Sequence, residues 1–205
     1  MTTDTVTLFL ALLSVVAEVT VAASLVLYVA GRFSPTAARW QVAFAEAIRP
    51  HALELGFIVA ATSMSGSLYF SEAAHFTPCN LCWYQRIAMY PLVPVLGLAA
   101  WRRDDDIRPY AATLAALGAA VSAYHVLLER LPSLESGACD VTNPCTIIWV
   151  RRFGYLTIPT MALSAFALIV TLMLTRAGQA RRRVQLEGVS DADRQVASIA
   201  RRPGR

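Results

Sequence analysis

The segment Cys79-Asn-Leu-Cys-Trp-Tyr-Gln-Arg-Ile-Ala-Met-Tyr-Pro-Leu92 sets two cysteines three residues apart at the head of an apolar run, with an arginine four residues further in. Helical spacing stacks Cys82 and Arg86 on one face. The run continues to about residue 101, enough to cross some 30 Å of hydrocarbon, which takes roughly 20 apolar residues. Further windows of this kind cover 6–30, 52–70, 109–128 and 155–175, and short polar segments separate them. With 56% hydrophobic residues and a mean hydropathy of +0.49, the chain reads as an all-α integral membrane protein. The first window lacks a basic flank before it and a small-residue cleavage pattern after it, so it reads as a retained span.

All 18 basic residues are arginines, and their placement predicts orientation, because short basic loops stay on the cytoplasmic side. One face collects Arg32, Arg39, Arg49, Arg102, Arg103, Arg108 and the run from Arg176 to Arg205; the other holds Arg130, Arg151 and Arg152. Alternating spans then put the N-terminus outside, the tail 176–205 inside, and the loops 71–82 and 129–154 outside. The formal charge of +4 is read as this topology signal, with no nucleic-acid partner. The tail is expected to reach anionic lipid headgroups. Ser34 and Pro35 start, and Pro50 stops, a short helix expected to lie in the cytoplasmic interface, with Trp40, Phe44, Ala47 and Ile48 on one face.

All four cysteines, Cys79, Cys82, Cys139 and Cys145, thus share the oxidising compartment. Five residues between Cys139 and Cys145 suffice to close a small disulfide ring. A four-ligand zinc site fits poorly, because 56 residues and two spans separate the pairs where roughly 12 to 20 residues are usual; no metal is expected. Two structural staples remain an open alternative. The first pair differs from a staple in its electrostatics. Pro78 precedes it, a helix begins at it, and the helix dipole, free N–H groups and Arg86 all favour a thiolate. A low-pKa thiolate is a good leaving group, so its disulfide exchanges readily. An arginine inside a span is costly and faces a functional interior or a headgroup.

The run Pro78 to Pro91 resembles the hallmark of the DsbB family of membrane disulfide-bond-forming proteins, and particularly its Gram-positive branch, often called BdbC. Tyr124-His-Val-Leu-Leu128 is similar to the family's histidine segment, and Trp149-Val-Arg-Arg-Phe-Gly-Tyr-Leu-Thr-Ile-Pro159 to the approach to its last span. The likeness covers about residues 52–175. It implies a four-helix transmembrane bundle, a bound quinone (menaquinone or ubiquinone) and an extracytoplasmic thioredoxin-like partner of the DsbA type. It also implies site roles. Cys139 and Cys145 would form the loop disulfide that accepts electrons from the partner, by a mixed disulfide placed first on Cys139, although the short spacing of the pair leaves open which of the two the partner meets. Cys79 and Cys82 would take those electrons by thiol exchange, Cys82 would meet the quinone ring, and Arg86 and His125 would stand beside the quinone.

The resemblance leaves residues 1–51, an extra transmembrane helix plus the interfacial helix, without a counterpart, and 176–205 as a cytoplasmic basic tail. Glu18, near the middle of the extra span, is expected to be protonated or paired within the bundle. A vitamin K epoxide reductase-like protein is a related possibility, but there the Cys-x-x-Cys belongs to the last core helix, whereas here it opens the second. A membrane scaffold or transporter subunit with two structural disulfides is the non-enzymatic alternative.

Overall fold

A computed structural model describes residues 3–175 apart from 136, 138 and 141. The tail 176–205 lies outside the described residues. The long helices are α1 (Thr3–Ala30), α2 (Pro35–Ile48), α3 (Ala52–Leu68), α4 (Asn80–Arg102), α5 (Arg108–Arg130) and α6 (Ile158–Thr175). No strand occurs among the described residues. Four helical stretches are long and apolar enough to cross a membrane: α1, the stretch Pro35–Ala73, Asp105–Arg130, and α6. The 23-residue α4 is less apolar because Gln85 and Arg86 interrupt it, and it packs between α3 and α5.

Helices α3 to α6 enclose the core. Leu53 and Ala60 of α3, Leu92 and Leu96 of α4, Ala115 of α5, and Phe166 and Ile169 of α6 are all buried there. Small residues set the spacing, since close backbone approach replaces the hydrophobic effect as the driving force between helices in lipid. Gly118 is the tightest case: a Cβ on it would stand 2.3 Å from the Phe166 ring. Gly118→Ala is therefore expected to destabilise the bundle by about 1–3 kcal/mol, the usual cost of overpacking. Thermal unfolding in detergent checks this, and restoration by a second change, Phe166→Leu, would locate the clash.

Two expectations for the second helix need correction. Ser34 occupies the N-cap position with an extended backbone, but its side chain makes no cap bond; Pro35 supplies the start. Pro50 ends the α-helical pattern of α2 without ending the rod. A single tight turn, Arg49–His51, carries the chain on into α3, with His51 departing from helical dihedrals (φ −109°, ψ 9°).

Helix α1 is apolar on every side but buries only Thr7, Ala11, Ser14 and Ala17, a stripe of small residues that faces the bundle. Leu10 packs over Gly66 of α3. The Glu18 carboxylate accepts hydrogen bonds from Tyr155 Oη (2.7 Å) and Ser164 Oγ (2.9 Å). It is paired within the bundle, as a carboxylate at that depth must be. Arg152 donates to Thr7 Oγ1 (2.7 Å) and pairs with Asp4. The extra helix is thus fastened mainly to α6 and the segment before it.

Candidate functional site

The site grows from the start of α4. Cys79 is its N-cap residue, extended at φ −77° and ψ 174°, and its sulfur accepts the backbone N–H of Cys82 at 3.4 Å. Helices begin with unsatisfied N–H groups, and a sulfur aimed at one of them is stabilised as an anion. Cys79 and Cys82 are free thiols with their sulfurs 3.0 Å apart. The Cys79 thiol, which precedes the span, is held far below its ordinary value of 9.0, at about 4. Donation from the Cys82 S–H is the main cause, opposed by burial and reinforced by His125.

That depression sets the pH behaviour of the reduced pair. A group whose pKa falls from 9.0 to about 4 stays ionised as pH drops through neutrality and is protonated only near the lower value. Ultraviolet thiolate absorbance of the reduced protein is expected to persist to about pH 5 and to fall to half near pH 4. Loss near pH 9 would show that Cys79 is an ordinary thiol. Cys82→Ala, which removes the main donor, is expected to move the transition upward.

One turn into α4, two polar residues diverge. Consecutive helical positions point about 100° apart, so Gln85 turns to α5 and Arg86 to α3, with Cys82 above both. Gln85 Nε2 lies 3.0 Å from His125 Nδ1. On its other side His125 Nε2 lies 3.0 Å from the carbonyl oxygen of Cys145 and 3.8 Å from Cys79 Sγ. A carbonyl only accepts, so His125 carries its proton on Nε2 and Nδ1 accepts from the Gln85 amide. His125 is 2% exposed and Gln85 7%; each satisfies the other, as buried polar groups must.

Arg86 donates from Nε to Ser67 Oγ and from Nη2 to Ser67 O, each at 3.0 Å, and its guanidinium lies 5.1 Å from the centroid of the Trp83 ring. Tyr90 Oη also donates to Ser67 Oγ (3.2 Å). With both lone pairs of that oxygen taken, the Ser67 O–H is left to donate. Helical stacking of Cys82 and Arg86 therefore does not end in a hydrogen bond between them; the guanidinium is drawn across to α3.

Cys139 and Cys145 are joined as a disulfide. Asp140 Oδ1 accepts from Thr142 N and Oγ1, which folds the loop between them and holds the Asp140 carboxyl below its ordinary value. Asn143 Nδ2 donates to Pro78 O at 3.0 Å, so the loop is tied to the residue just before Cys79. The two pairs pack in one cluster with Leu81 and Leu128. Cys79, Cys82, His125, Glu129 and Cys145 line a small cavity of about 30 Å³ between them.

A second cavity, about 310 Å³, opens on the other side of α4. Cys82, Arg86, Tyr90 and Ser67 form its polar end, Phe76 and Trp149, stacked at 5.0 Å, flank it, and the remainder is mostly apolar, interrupted by small hydroxyls such as Ser14, Thr62 and Ser63. Trp149, expected only as an interfacial anchor, is thus part of a wall. Of the four cysteines, Cys82 alone lines both cavities. His125 does not reach the larger one; it stands between the cysteine pairs.

Residues 49–176, well over half of the chain, match the family described as disulfide bond formation protein DsbB. The chain belongs to the DsbB family. Among its relatives, disulfide bond formation protein C of Bacillus subtilis (strain 168) is 42% identical over 128 residues, 62% of this chain and 93% of the relative. A probable disulfide formation protein of Oceanobacillus iheyensis is 40% identical over 60% of this chain and 86% of its own length. A probable disulfide formation protein C of Halalkalibacterium halodurans is 43% identical, over 55% and 83%. No solved structure matches. Membership and the long apolar helices make this a multi-pass membrane protein with an oxidoreductase role in disulfide bond formation.

For a DsbB-family protein the free pair has a direct sense, although the ligand atoms of Cys79, Cys82 and His125 also lie within 4.8 Å of one another, close enough for a metal. His125 Nε2, however, is engaged as a donor to Cys145 O, and the cluster contains three ligands where structural zinc takes four. Sequence reasoning passed over Gln85, Ser67, Asn143 and Glu129. Gln85 had a signal, as a polar residue inside a span; Ser67 had almost none, since small hydroxyls are ordinary in packed membrane helices.

Proposed function

We propose that this protein oxidises a thioredoxin-like dithiol partner outside the membrane and passes the electron pair through its two cysteine pairs to a membrane quinone. The observation that carries this reading is the position of Cys82 on both cavities, one shared with the loop disulfide and the other apolar and open to a lipid-soluble ligand. The larger cavity fits a quinone: an apolar slot with N–H and O–H donors from Arg86, Ser67 and Tyr90 grouped at one end suits a ring with carbonyl oxygens. When bound, a quinone supplies the acceptor for two electrons and two protons.

The chain's own residues do the rest. Cys139 is 9% exposed and Cys145 1%, so a partner thiolate attacks Cys139 and expels the Cys145 thiolate into the small cavity. Cys145 then attacks Cys79 Sγ in the oxidised Cys79–Cys82 pair, breaking that disulfide and releasing Cys82 as thiolate beside Arg86. The partner's second thiol releases Cys139 and leaves with the partner disulfide. Cys139 attacks Cys145, restores the loop disulfide and frees Cys79. The result is an oxidised loop and a reduced first pair, the state described above. His125, held by Gln85, donates toward Cys145 O and Cys79 Sγ and so positions the two pairs for exchange. The orientation that places both loops outside and the tail 176–205 inside rests on the arginine distribution.

The test is trapping. With a reduced thioredoxin-like partner whose second cysteine is replaced by alanine, the partner thiolate is expected to open the intact Cys139–Cys145 bond, expelling the Cys145 thiolate, and to accumulate as a mixed disulfide, resolved by non-reducing electrophoresis and placed on Cys139 by peptide mapping. Cys139→Ala has no loop disulfide to open and is expected to accumulate none. A bond mapped to Cys145, or no mixed disulfide with the intact loop, would overturn the assignment.

A further inference from the structure

The Bacillus subtilis relative is 93% covered by the matched segment, which leaves too short a remainder for a counterpart to the 28-residue α1. Yet Leu10, Leu13, Ser14, Val16 and Ala17 of α1 line the larger cavity. Its lining runs along α3 from Ser67 through Ser63, Thr62 and Val59 to Ile58, a rise of about 13 Å at 1.5 Å per residue. On α1 it runs from Leu10 to Ala17, about 10 Å. These two stretches extend the cavity away from the donors at Arg86 and Ser67, and Ala165 and Leu168 of α6 accompany them. The polar residues that fasten α1, Glu18 and Thr7, bond to Ser164, Tyr155 and Arg152 and line no part of the cavity.

The geometry points to α1 as an added binding wall: it contains the apolar tail of a lipid-soluble quinone whose head group meets Arg86, Ser67 and Tyr90. This rests on the quinone reading above and extends it, because a bundle without α1 leaves that side of the slot to bilayer lipid. The slot has a donor-lined end and a mostly apolar remainder, which matches one molecule with a polar head and a long hydrocarbon tail. A phospholipid acyl chain would use the apolar part and offer no acceptor to the half-buried donors at the other end.

The test is equilibrium binding in nanodiscs to the full-length oxidised protein with no dithiol present, so that nothing turns over. Quenching of tryptophan fluorescence reports occupancy, since Trp149 lines the cavity and Trp83 covers Arg86. The probes are a decyl-tailed benzoquinone and the same ring without a tail, compared at equal concentration in the lipid. The wild type is expected to bind the tailed ring about tenfold more tightly. Ala17→Phe and Ser14→Leu, which fill the α1 wall, are expected to erase most of that preference and to leave the tail-less ring within about twofold. Glu18→Gln combined with Tyr155→Phe loosens the helix without changing the lining and is expected to act in the same direction. Leu25→Phe, on the exposed side of α1, is expected to change neither probe.

Equal loss for both rings, no loss for either, or a wild type without preference for the tail would overturn the inference; the last result is also the one expected if lipid fills the slot. Turnover is a separate measurement. A wild type that prefers the tailed ring yet never oxidises a dithiol would sink the electron-transfer reading and leave the wall standing.

Discussion

Cys82→Ser is expected to lower dithiol-dependent quinone reduction by about three orders of magnitude or more, to background. Cys82 is the one cysteine that lines both the thiol-side and the apolar cavity, and a serine hydroxyl neither forms a disulfide nor ionises near neutral pH. The measurement uses purified protein, a reduced thioredoxin-like partner and a soluble quinone, followed by quinone absorbance. Activity within about tenfold of wild type would require a route around Cys82 and would sink the proposed path. The same variant keeps its loop disulfide, so its exchange with the partner at Cys139 is expected to persist. Loss of that first step as well would mean that the substitution had disturbed the fold.

Arg86→Ala is expected to raise the KM for quinone by about 10- to 100-fold, with a smaller effect on kcat. That range corresponds to about 1.4–2.8 kcal/mol, within the span of a hydrogen bond from a charged donor. Arg86 is anchored at two points on Ser67 and covered by Trp83, so its position is fixed before a ligand arrives. Arg86→Lys keeps the charge and loses the fork, and is expected to recover only part of the affinity. Ser67→Ala leaves the charge intact but removes one anchor, and a KM increase of about threefold to tenfold is expected. If Arg86→Ala lowers kcat and leaves KM alone, Arg86 acts on the thiol pair and not on the ligand.

The five apolar windows coincide with α1, α3, α4, α5 and α6 to within a few residues, because a bilayer leaves backbone polar groups no other way to be satisfied than by long helices. The Cys79, Cys82 and Arg86 arrangement was legible for a similar reason: helical spacing is local, and so is the cost of an arginine in a span. What α3 offers to Arg86 was not legible, since Ser67 matters only by facing α4 across a helix pair. Nor was the seat of α1. A helix apolar on every face carries no periodic mark of which side is buried, and Glu18 announced a need for partners without naming Tyr155 or Ser164. His125 was placed near a ligand on resemblance, whereas its two bonds fix it between α4 and the loop, a pairing that depends on two contacts distant in sequence.

The division of the cysteines between two cavities also works as insulation. Cys79, Cys139 and Cys145 line no part of the larger cavity, and Cys82 is the one cysteine on both sides of the partition. On the proposed path an oxidant arriving from the lipid phase would therefore meet a single terminal, Cys82, before it could reach the loop disulfide. Such wiring would keep the loop pair answering to its protein partner alone, whatever the quinone pool in the bilayer is doing.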